Sequence, residues 1–286
     1  MQITKENLTI IIVTIKSEKI IDNCLQSINP EVKKIVVENS SNQEFTNSLK
    51  KKYENLECYT TGKNLGMGQG NNFGIEKSKT RYVMILNPDT VLQHNTLNHI
   101  YKVSLNLDFA ILSPSNYDKN FPNYKAATNI ETTNEELIEV DSIDGYAMIL
   151  DKKKIHGFFF DTKIFMYLEN DDLCLRMKRK GEKIYISKNS QISHLGAKAV
   201  DPKFYKEIEL SRNWHWSWSK FYFRRKHYGY FNAMIFSFPS FFKSCIKSFF
   251  YFMTKNEFKC KLYSQRASGI INSFLMRDSW YRPKLD

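Results

Sequence analysis

Arg81-Tyr-Val-Met-Ile-Leu-Asn-Pro-Asp-Thr90 is the stretch that sets the fold class. Its apolar residues 82–86 have the length and unbroken hydrophobicity of a strand covered on both faces, as in a parallel sheet. Asn87-Pro88 ends that strand, because proline brings no amide hydrogen to the ladder. Asp89 is thereby predicted at the carboxyl end of a central strand, where open α/β sheets hold their ligands. A carboxylate there suits a hard divalent cation that also binds phosphates. The plainer alternative is a strand followed by an Asn-Pro turn.

Working back toward the N-terminus, residues 8–15 (LTIIIVTI) are β-branched almost throughout and predict a buried first strand. A crossover helix over 16–27 follows, with Ile20, Ile21, Cys24 and Ile28 at helical spacing. A second strand over 32–37 ends at Glu38-Asn39-Ser40-Ser41, a polar helix spans 46–53, and a third strand spans 56–60. Strand and helix alternating in this order predict a right-handed parallel α/β sheet. Glu38 ends the second strand about twenty residues after the first, where an acid contacts a ribose or base edge in nucleotide-binding sheets. A solvated loop acid is the alternative. Asn64-Leu-Gly-Met-Gly-Gln-Gly-Asn-Asn-Phe-Gly74 then brings the backbone close to something. It follows the third strand, has Asn71 where a dinucleotide fingerprint needs glycine, and lacks the Gly-Lys-Ser/Thr of a P-loop. A helix start beneath a nucleotide and close packing of helix on sheet remain equal readings.

Beyond Asp89 a helix is predicted over 94–105 and a strand over 110–113. Residues 114–140 are polar and loop-rich, in the manner of a mobile substrate loop. Strand character returns over 140–150, interrupted by Gly145 where a ligand would have room. Glu169-Asn-Asp-Asp-Leu-Cys-Leu-Arg176 opens a helix that stops at Gly181. Acids in a first turn complement the helix dipole, yet three carboxylates in four residues exceed what capping needs and suit general-base work. A strand over 183–187 precedes His194, whose imidazole can complete a metal site or touch a diphosphate.

With 42% hydrophobic and 14% aromatic residues in 286, the chain can bury a substantial core. Five scattered cysteines show no metal or disulfide spacing, and thus read as reduced cytosolic thiols. No secretory signal and no uncharged apolar run of the ~18 residues needed to span a membrane is expected. The charge is uneven: residues 201–286 hold 16 Lys/Arg against 6 Asp/Glu, a net of +10 out of +12. That tail predicts a polyanionic partner, an anionic membrane surface or nucleic acid. No nucleic-acid-binding motif accompanies it, which favours the membrane. Trp214, Trp216 and Trp218 alternate with a spacing of two that suits a strand. Residues 228–253 are aromatic and apolar, with Lys243 and Lys247 one helical turn apart, so that phenylalanines can face lipid while lysines meet head groups.

Residues 8–225 resemble the family 2 glycosyltransferases of the GT-A fold, particularly bacterial rhamnosyltransferase-like members. Ile12-Val13-Thr14 looks like their opening strand with its nucleotide-contacting threonine, and Val37-Glu38-Asn39-Ser40 like the segment whose acid recognises the base. The block from Asn64 through Gly66 and Asn72 to Gly74 is similar to the family's NxGxxxxxNxG beside the nucleotide. Asn87-Pro88-Asp89-Thr90 looks like the DxD variant and His194-Leu195-Gly196 like the later metal-approaching histidine. Glu169 to Arg176 matches the acidic helix start, with one departure. Asn170 stands where the second acid, often taken as the base, is usual, and an amide accepts no proton usefully.

The resemblance implies a GT-A (Rossmann-like) α/β domain over 1–225, its mixed, mostly parallel sheet flanked by helices. A basic, aromatic helical extension follows over 226–286. The implied activity is inverting, metal-dependent transfer of a sugar from dTDP-L-rhamnose, or alternatively a UDP-sugar, to a surface or lipid-linked glycan. A non-enzymatic glycan- or polyanion-binding relative is the rival. Glu169 is the expected base with Asp171 as its substitute, and Asp172 and Arg176 fall on the acceptor side. Thr14, Glu38, Asn64, Gly66, Asn72, Asn87 and Asp89 are the donor residues, and Asp89 and His194 hold Mg²⁺ or Mn²⁺. A cytoplasmic protein peripheral to the inner face of the plasma membrane is expected.

Overall fold

The computed structural model describes residues 2–126, 136–194 and 201–284. Two compact units emerge, one of residues 1–161 and 169–200, the other of residues 162–168 and 201–286.

The first unit opens with β1 (Leu8–Thr14), α1 (Ile21–Gln26), β2 (Lys33–Glu38), α2 (Gln43–Lys52), β3 (Leu56–Thr60), α3 (Met67–Lys77) and β4 (Tyr82–Leu86). These strands lie side by side as β3-β2-β1-β4, all parallel. Every residue of β1 and β4 is buried. Ile10 and Ile12 of β1 enter one core and Ile11 and Val13 the other, so the sheet is covered on both faces. The chain continues through β5 (Thr90–Leu92), α4 (Thr96–Val103), β6 (Ile111–Asn116), β7 (Tyr124–Ala126), β8 (Leu137–Ile143), β9 (Ala147–Asp151), α5 (Lys152–Ile155), α6 (Glu169–Arg179) and β10 (Ile184–His194). β9 inserts antiparallel between β4 and β6, and β6-β10-β8-β7 extend the sheet. Arg81 clamps this insertion, its guanidinium donating to Asp151 at 2.6 Å and 3.1 Å.

The glycine block has a packing role. A Cβ on Gly74 would lie 2.5 Å from Ile11 Cγ2, and one on Gly70 would lie 2.9 Å from Val13 Cγ1. α3 therefore rests directly on β1, and close helix-on-sheet packing accounts for these two positions.

Several boundaries differ from the sequence expectations for local reasons. The first helix starts at Ile21 rather than at residue 16, where Lys16 has a left-handed φ of 49°. The helix expected from residue 94 starts at Thr96, because Asn95 is left-handed at φ 61°. The segment expected to be a loop over 114–140 contributes the end of β6, all of β7 and the start of β8; residues 127–135 lie outside the described residues. The strand expected over 183–187 runs on to His194.

The second unit holds a short 3₁₀ turn (Pro202–Phe204), α7 (Tyr205–Tyr228), α8 (Tyr230–Met253) and α9 (Glu257–Phe274). The tryptophan run is helical, not extended. Trp214 and Trp218 are buried and stacked at 6.5 Å, Trp218 stacks on Tyr222 at 4.9 Å, and Trp216 is exposed. Residues four apart share a helix face, so three tryptophans at a spacing of two fit a helix with only its middle member turned out. The boundary read after residue 225 falls inside α7. At Gly269 an added Cβ would lie 2.3 Å from the Trp214 carbonyl oxygen, which marks a close crossing of α7 and α9. Among the described residues no helix is long and apolar enough to cross a membrane.

Gly74→Ala should push α3 off β1 and cost about 1–3 kcal/mol, as overpacking of a tight core does. Urea unfolding of the variant against the wild type measures it.

Candidate active site

Parallel register gathers the polar ends of three strands. Thr14 of β1 lies opposite Glu38 of β2, and β4 runs beside β1 in the same direction. Glu38 is buried, accepts from Ser40 Oγ at 2.5 Å on Oε1, and has no partner on Oε2. Burial pushes its carboxyl up to about 7. Thr14 is buried too, and its Oγ1 is unpartnered.

Asn39, which the sequence reading did not single out, organises the next wall. Its Oδ1 accepts from Leu65 N at 2.9 Å, and its Nδ2 donates to Gly66 O at 3.1 Å and Asn64 Oδ1 at 3.2 Å. Asn64 Oδ1 also accepts from Gly66 N at 3.0 Å. The Asn64 side chain therefore shapes the loop. Gly66, at φ 82° and ψ −178°, occupies a region essentially restricted to glycine and turns the chain into α3. Asn72 differs from its expected donor role. It donates to Phe160 O at 2.7 Å and accepts from Phe160 N at 3.0 Å, and so ties α3 to a distant loop. The neighbouring Asn71 instead has a buried, unpartnered Oδ1.

The Asn-Pro-Asp segment is a tight turn. Thr90 N donates to Asn87 O at 3.1 Å, with Pro88 in the position where its fixed φ suits a turn. Asn87 N donates in turn to Tyr146 O at 2.9 Å. Asp89 is 3% exposed, and its Oδ1 lies 3.3 Å from His194 Nε2. β5 explains this meeting across the chain, since its antiparallel pairing with β10 sets Thr90 opposite His194. Tyr146 stacks on the His194 ring at 4.0 Å and fixes its plane.

A buried carboxylate oxygen without a hydrogen-bond donor, next to an imidazole nitrogen, fits a divalent cation. No cluster of three or more His, Cys, Asp or Glu side chains placed to hold a metal occurs among the described residues. Asp89 and His194 would leave the remaining coordination positions for phosphate oxygens and water.

At the start of α6 the acids separate by partner. Asp171 Oδ1 accepts from Lys125 at 2.6 Å. Asp172 is fully buried and pairs with Arg176 at 2.9 Å, and Arg176 also donates to the carbonyl of Phe158 at 2.9 Å and to that of Phe159. Asp172 and Arg176 were expected on the acceptor side; with its carboxylate sealed from solvent, Asp172 instead holds the Phe158–Phe159 bend through Arg176. Asn170 donates to Ile143 O at 2.7 Å and is the nearest side chain to Gly145, so it fills the space expected there for a ligand. Glu169 keeps a buried, unpartnered Oε2, and burial lifts its carboxyl to about 7. Asp144 was also missed. Burial, helped by the nearby Asp171 carboxylate, raises its carboxyl above the usual value. The only sequence signal for it was the neighbouring Gly145.

Of ten unpartnered buried side-chain oxygens among the described residues, seven lie on Thr14, Glu38, Asn71, Asn87, Asp89, Thr90 and Glu169, and the other three on Tyr101, Ser211 and Ser273. Each costs about 1–3 kcal/mol when left unmade, which for this many rivals the ~5–15 kcal/mol that holds a whole domain together. A polar ligand is the natural partner.

Residues 9–174 match Glycosyl transferase family 2. The chain belongs to that family. The low-salt glycan biosynthesis hexosyltransferase Agl10 of Haloferax volcanii is 25% identical over 194 residues, 61% of this chain and 62% of that protein. The match therefore spans less than two thirds of that relative's length. Rhamnosyltransferase WbbL of Escherichia coli K12 is 27% identical over 210 residues, 62% of this chain and 78% of that protein. The mannosyltransferase PcManGT from Pyrobaculum calidifontis, solved in complex with GDP-Man and Mn²⁺, aligns with a TM-score of 0.57 at 10% identity over 95% of this chain and 88% of that one. The family 2 member described here accordingly has the GT-A fold.

Glu38 and Glu169 hold their protons more tightly in the folded chain than at their ordinary value of 4.5. Their contribution to stability is complete below that value and is lost as pH rises to about 7. A Glu38→Gln, Glu169→Gln double variant cannot titrate at these positions. Its denaturation midpoint should gain on the wild type between those two pH values and then run parallel above them, as read by urea unfolding across pH.

Proposed function

We propose that this protein is an inverting, metal-dependent glycosyltransferase that moves one sugar from a nucleoside diphosphate to a glycan acceptor. The observation that carries this reading is the set of buried, unpartnered oxygens at the carboxyl ends of β1 and β4, at Glu38 and at Glu169. Asp89, one of these groups, stands 3.3 Å from the His194 imidazole.

Glu38 Oε2 is an acceptor suited to the imide N–H of thymine or uracil, a group that cytosine lacks. Gly66 and the Asn39-held loop let the backbone approach the nucleotide closely. The donor is dTDP-L-rhamnose, in keeping with the likeness to a rhamnosyltransferase; a UDP-sugar is the alternative. Asp89 and His194 would hold Mg²⁺ or Mn²⁺, which as a Lewis acid offsets the charge on the departing diphosphate. Glu169 Oε2 takes the proton from the acceptor hydroxyl as that oxygen bonds to the anomeric carbon and the bond to the diphosphate oxygen breaks. Asp171 is engaged by Lys125 and Asn170 is an amide, so among the first-turn residues Glu169 alone combines a free oxygen with an elevated proton affinity. Desolvation supplies that affinity, which suits a base working near neutral pH.

The acceptor is a surface polysaccharide or lipid-linked glycan. The protein works in the cytoplasm, on the inner face of the membrane, to which the helical unit with its +10 charge over residues 201–286 is drawn.

Incubation with a panel of nucleotide sugars, with and without EDTA, should give metal-dependent release of nucleoside diphosphate. Glu169→Gln should lower kcat by ~10²–10⁴ with donor KM little changed. Asp89→Ala should abolish turnover, and kcat should climb with pH through about 7 as Glu169 ionises. Transfer that survives both substitutions would sink the mechanism, and failure of the wild type to release nucleoside diphosphate from any donor would favour a glycan-binding relative.

A further inference from the structure

The helical unit contains a cleft of about 510 Å³ that the transfer chemistry does not use. Lys220 and Arg224 reach it from α7, Lys243 and Lys247 from α8, and Arg266 from α9. Among the described residues no carboxylate lines it. Among the described residues none of these five cations forms a salt bridge. Aromatic rings hold three of them instead: Arg224 lies over Phe236 at 4.0 Å, Lys247 over Tyr263 at 4.9 Å and Lys220 over Trp216 at 5.2 Å. Arg266 is fixed by donating to Asn213 Oδ1 at 2.5 Å. Rings and amides position a cation without neutralising it, so the cleft gathers like charges that repel until an anion enters.

The second observation lies on the same helix. Phe231, Ile235, Phe242, Ile246, Phe249 and Met253 of α8 are each more than half exposed. Their spacings of four, seven, four, three and four make one continuous helical stripe. Lys243 and Lys247 follow Phe242 and Ile246 by one residue each, about 100° around the helix. The cationic row thus borders the apolar stripe. A helix with this division of faces lies in a lipid interface, its rings in the acyl boundary and its cations at headgroup depth.

We propose that this cleft is a specific site for the phosphate headgroup of an anionic membrane lipid, seated while the α8 stripe enters the bilayer. This rests on the membrane part of the proposed function and is independent of the donor chemistry.

The test is co-sedimentation of the full chain with phosphatidylglycerol-containing and pure phosphatidylcholine vesicles. The wild type is compared with Lys243→Gln, Lys247→Gln and with a control of equal charge loss, Lys259→Gln, Lys261→Gln. Circular dichroism and the melting midpoint verify that both variants fold, and a Phe242→Ser, Ile246→Ser variant probes the stripe without touching charge. The expected result is binding only to the anionic vesicles, weakened about tenfold or more in the cleft and stripe variants and little changed in the control. Equal losses in cleft variant and control would mean diffuse attraction, which overturns the site but leaves membrane association standing. Absence of wild-type binding to anionic vesicles would overturn both. Wild-type binding of inorganic pyrophosphate or an oligonucleotide at least as tight as binding to vesicles, and lost in the cleft variant, would assign the cleft to a soluble anion and overturn the lipid assignment.

Discussion

Parallel, in-register pairing of β1 with β2 and β4 is the constraint on which the rest of the first unit depends. Apart from Thr9 and Lys34 near their starts, those strands are apolar along their buried lengths, and their other polar residues come mainly at or just beyond the carboxyl ends. Alignment therefore concentrates Thr14, Glu38 and the Asn87–Thr90 turn along one edge while hydrophobic burial holds the strands below. The antiparallel strands then complete what the parallel ones begin. β9 closes the gap between β4 and β6, and the β5–β10 pair carries His194 to Asp89. The meeting of Asp89 and His194 at this edge is a product of strand register.

A second theme is the division of polar residues between structure and chemistry. Four successive positions at the start of α6 carry similar side chains, yet they have different fates. Asp172 is neutralised in the interior by Arg176, Asp171 is paired with Lys125 near the surface, and Asn170 braces the β8–β9 turn. Glu169 is left with a buried, open Oε2, and desolvation raises its proton affinity. The same division separates Asn71 from Asn72 on α3, where one amide is consumed by the Phe160 backbone and the other keeps a free acceptor.

The helical unit follows a different logic. Its interior is aromatic: Trp214 and Trp218 donate their indole N–H groups to Ser268 and to the Arg277 carbonyl, each at 3.1 Å, so each large ring is buried without leaving its one donor unmade. His215 is packed against Phe165 and held near Tyr281 O, and burial lowers it to about 3, so it stays neutral. With this core complete, the apolar surface remaining on α8 is surplus to folding.

The alternation of apolar strands with amphipathic helices, the glycine block, the acidic helix start and the charge asymmetry of the tail were all determined by the sequence alone. Each depends on residues close together in the chain, where strand length, proline and helical spacing act directly. Roles that depend on distant partners were not legible. Asn72 meets Phe160 across 88 residues, Asp171 meets Lys125 across 46, and His194 meets Asp89 only through strand pairing. The tryptophan run misled for a related reason, since three residues at a spacing of two fit a strand and also a helix with one member exposed, and only the packing of α7 against its neighbours decides. The sequence by itself determined which groups stand ready for chemistry. The tertiary structure decided which of them remain free, because a polar group is available to a ligand only where the fold has given it no other partner.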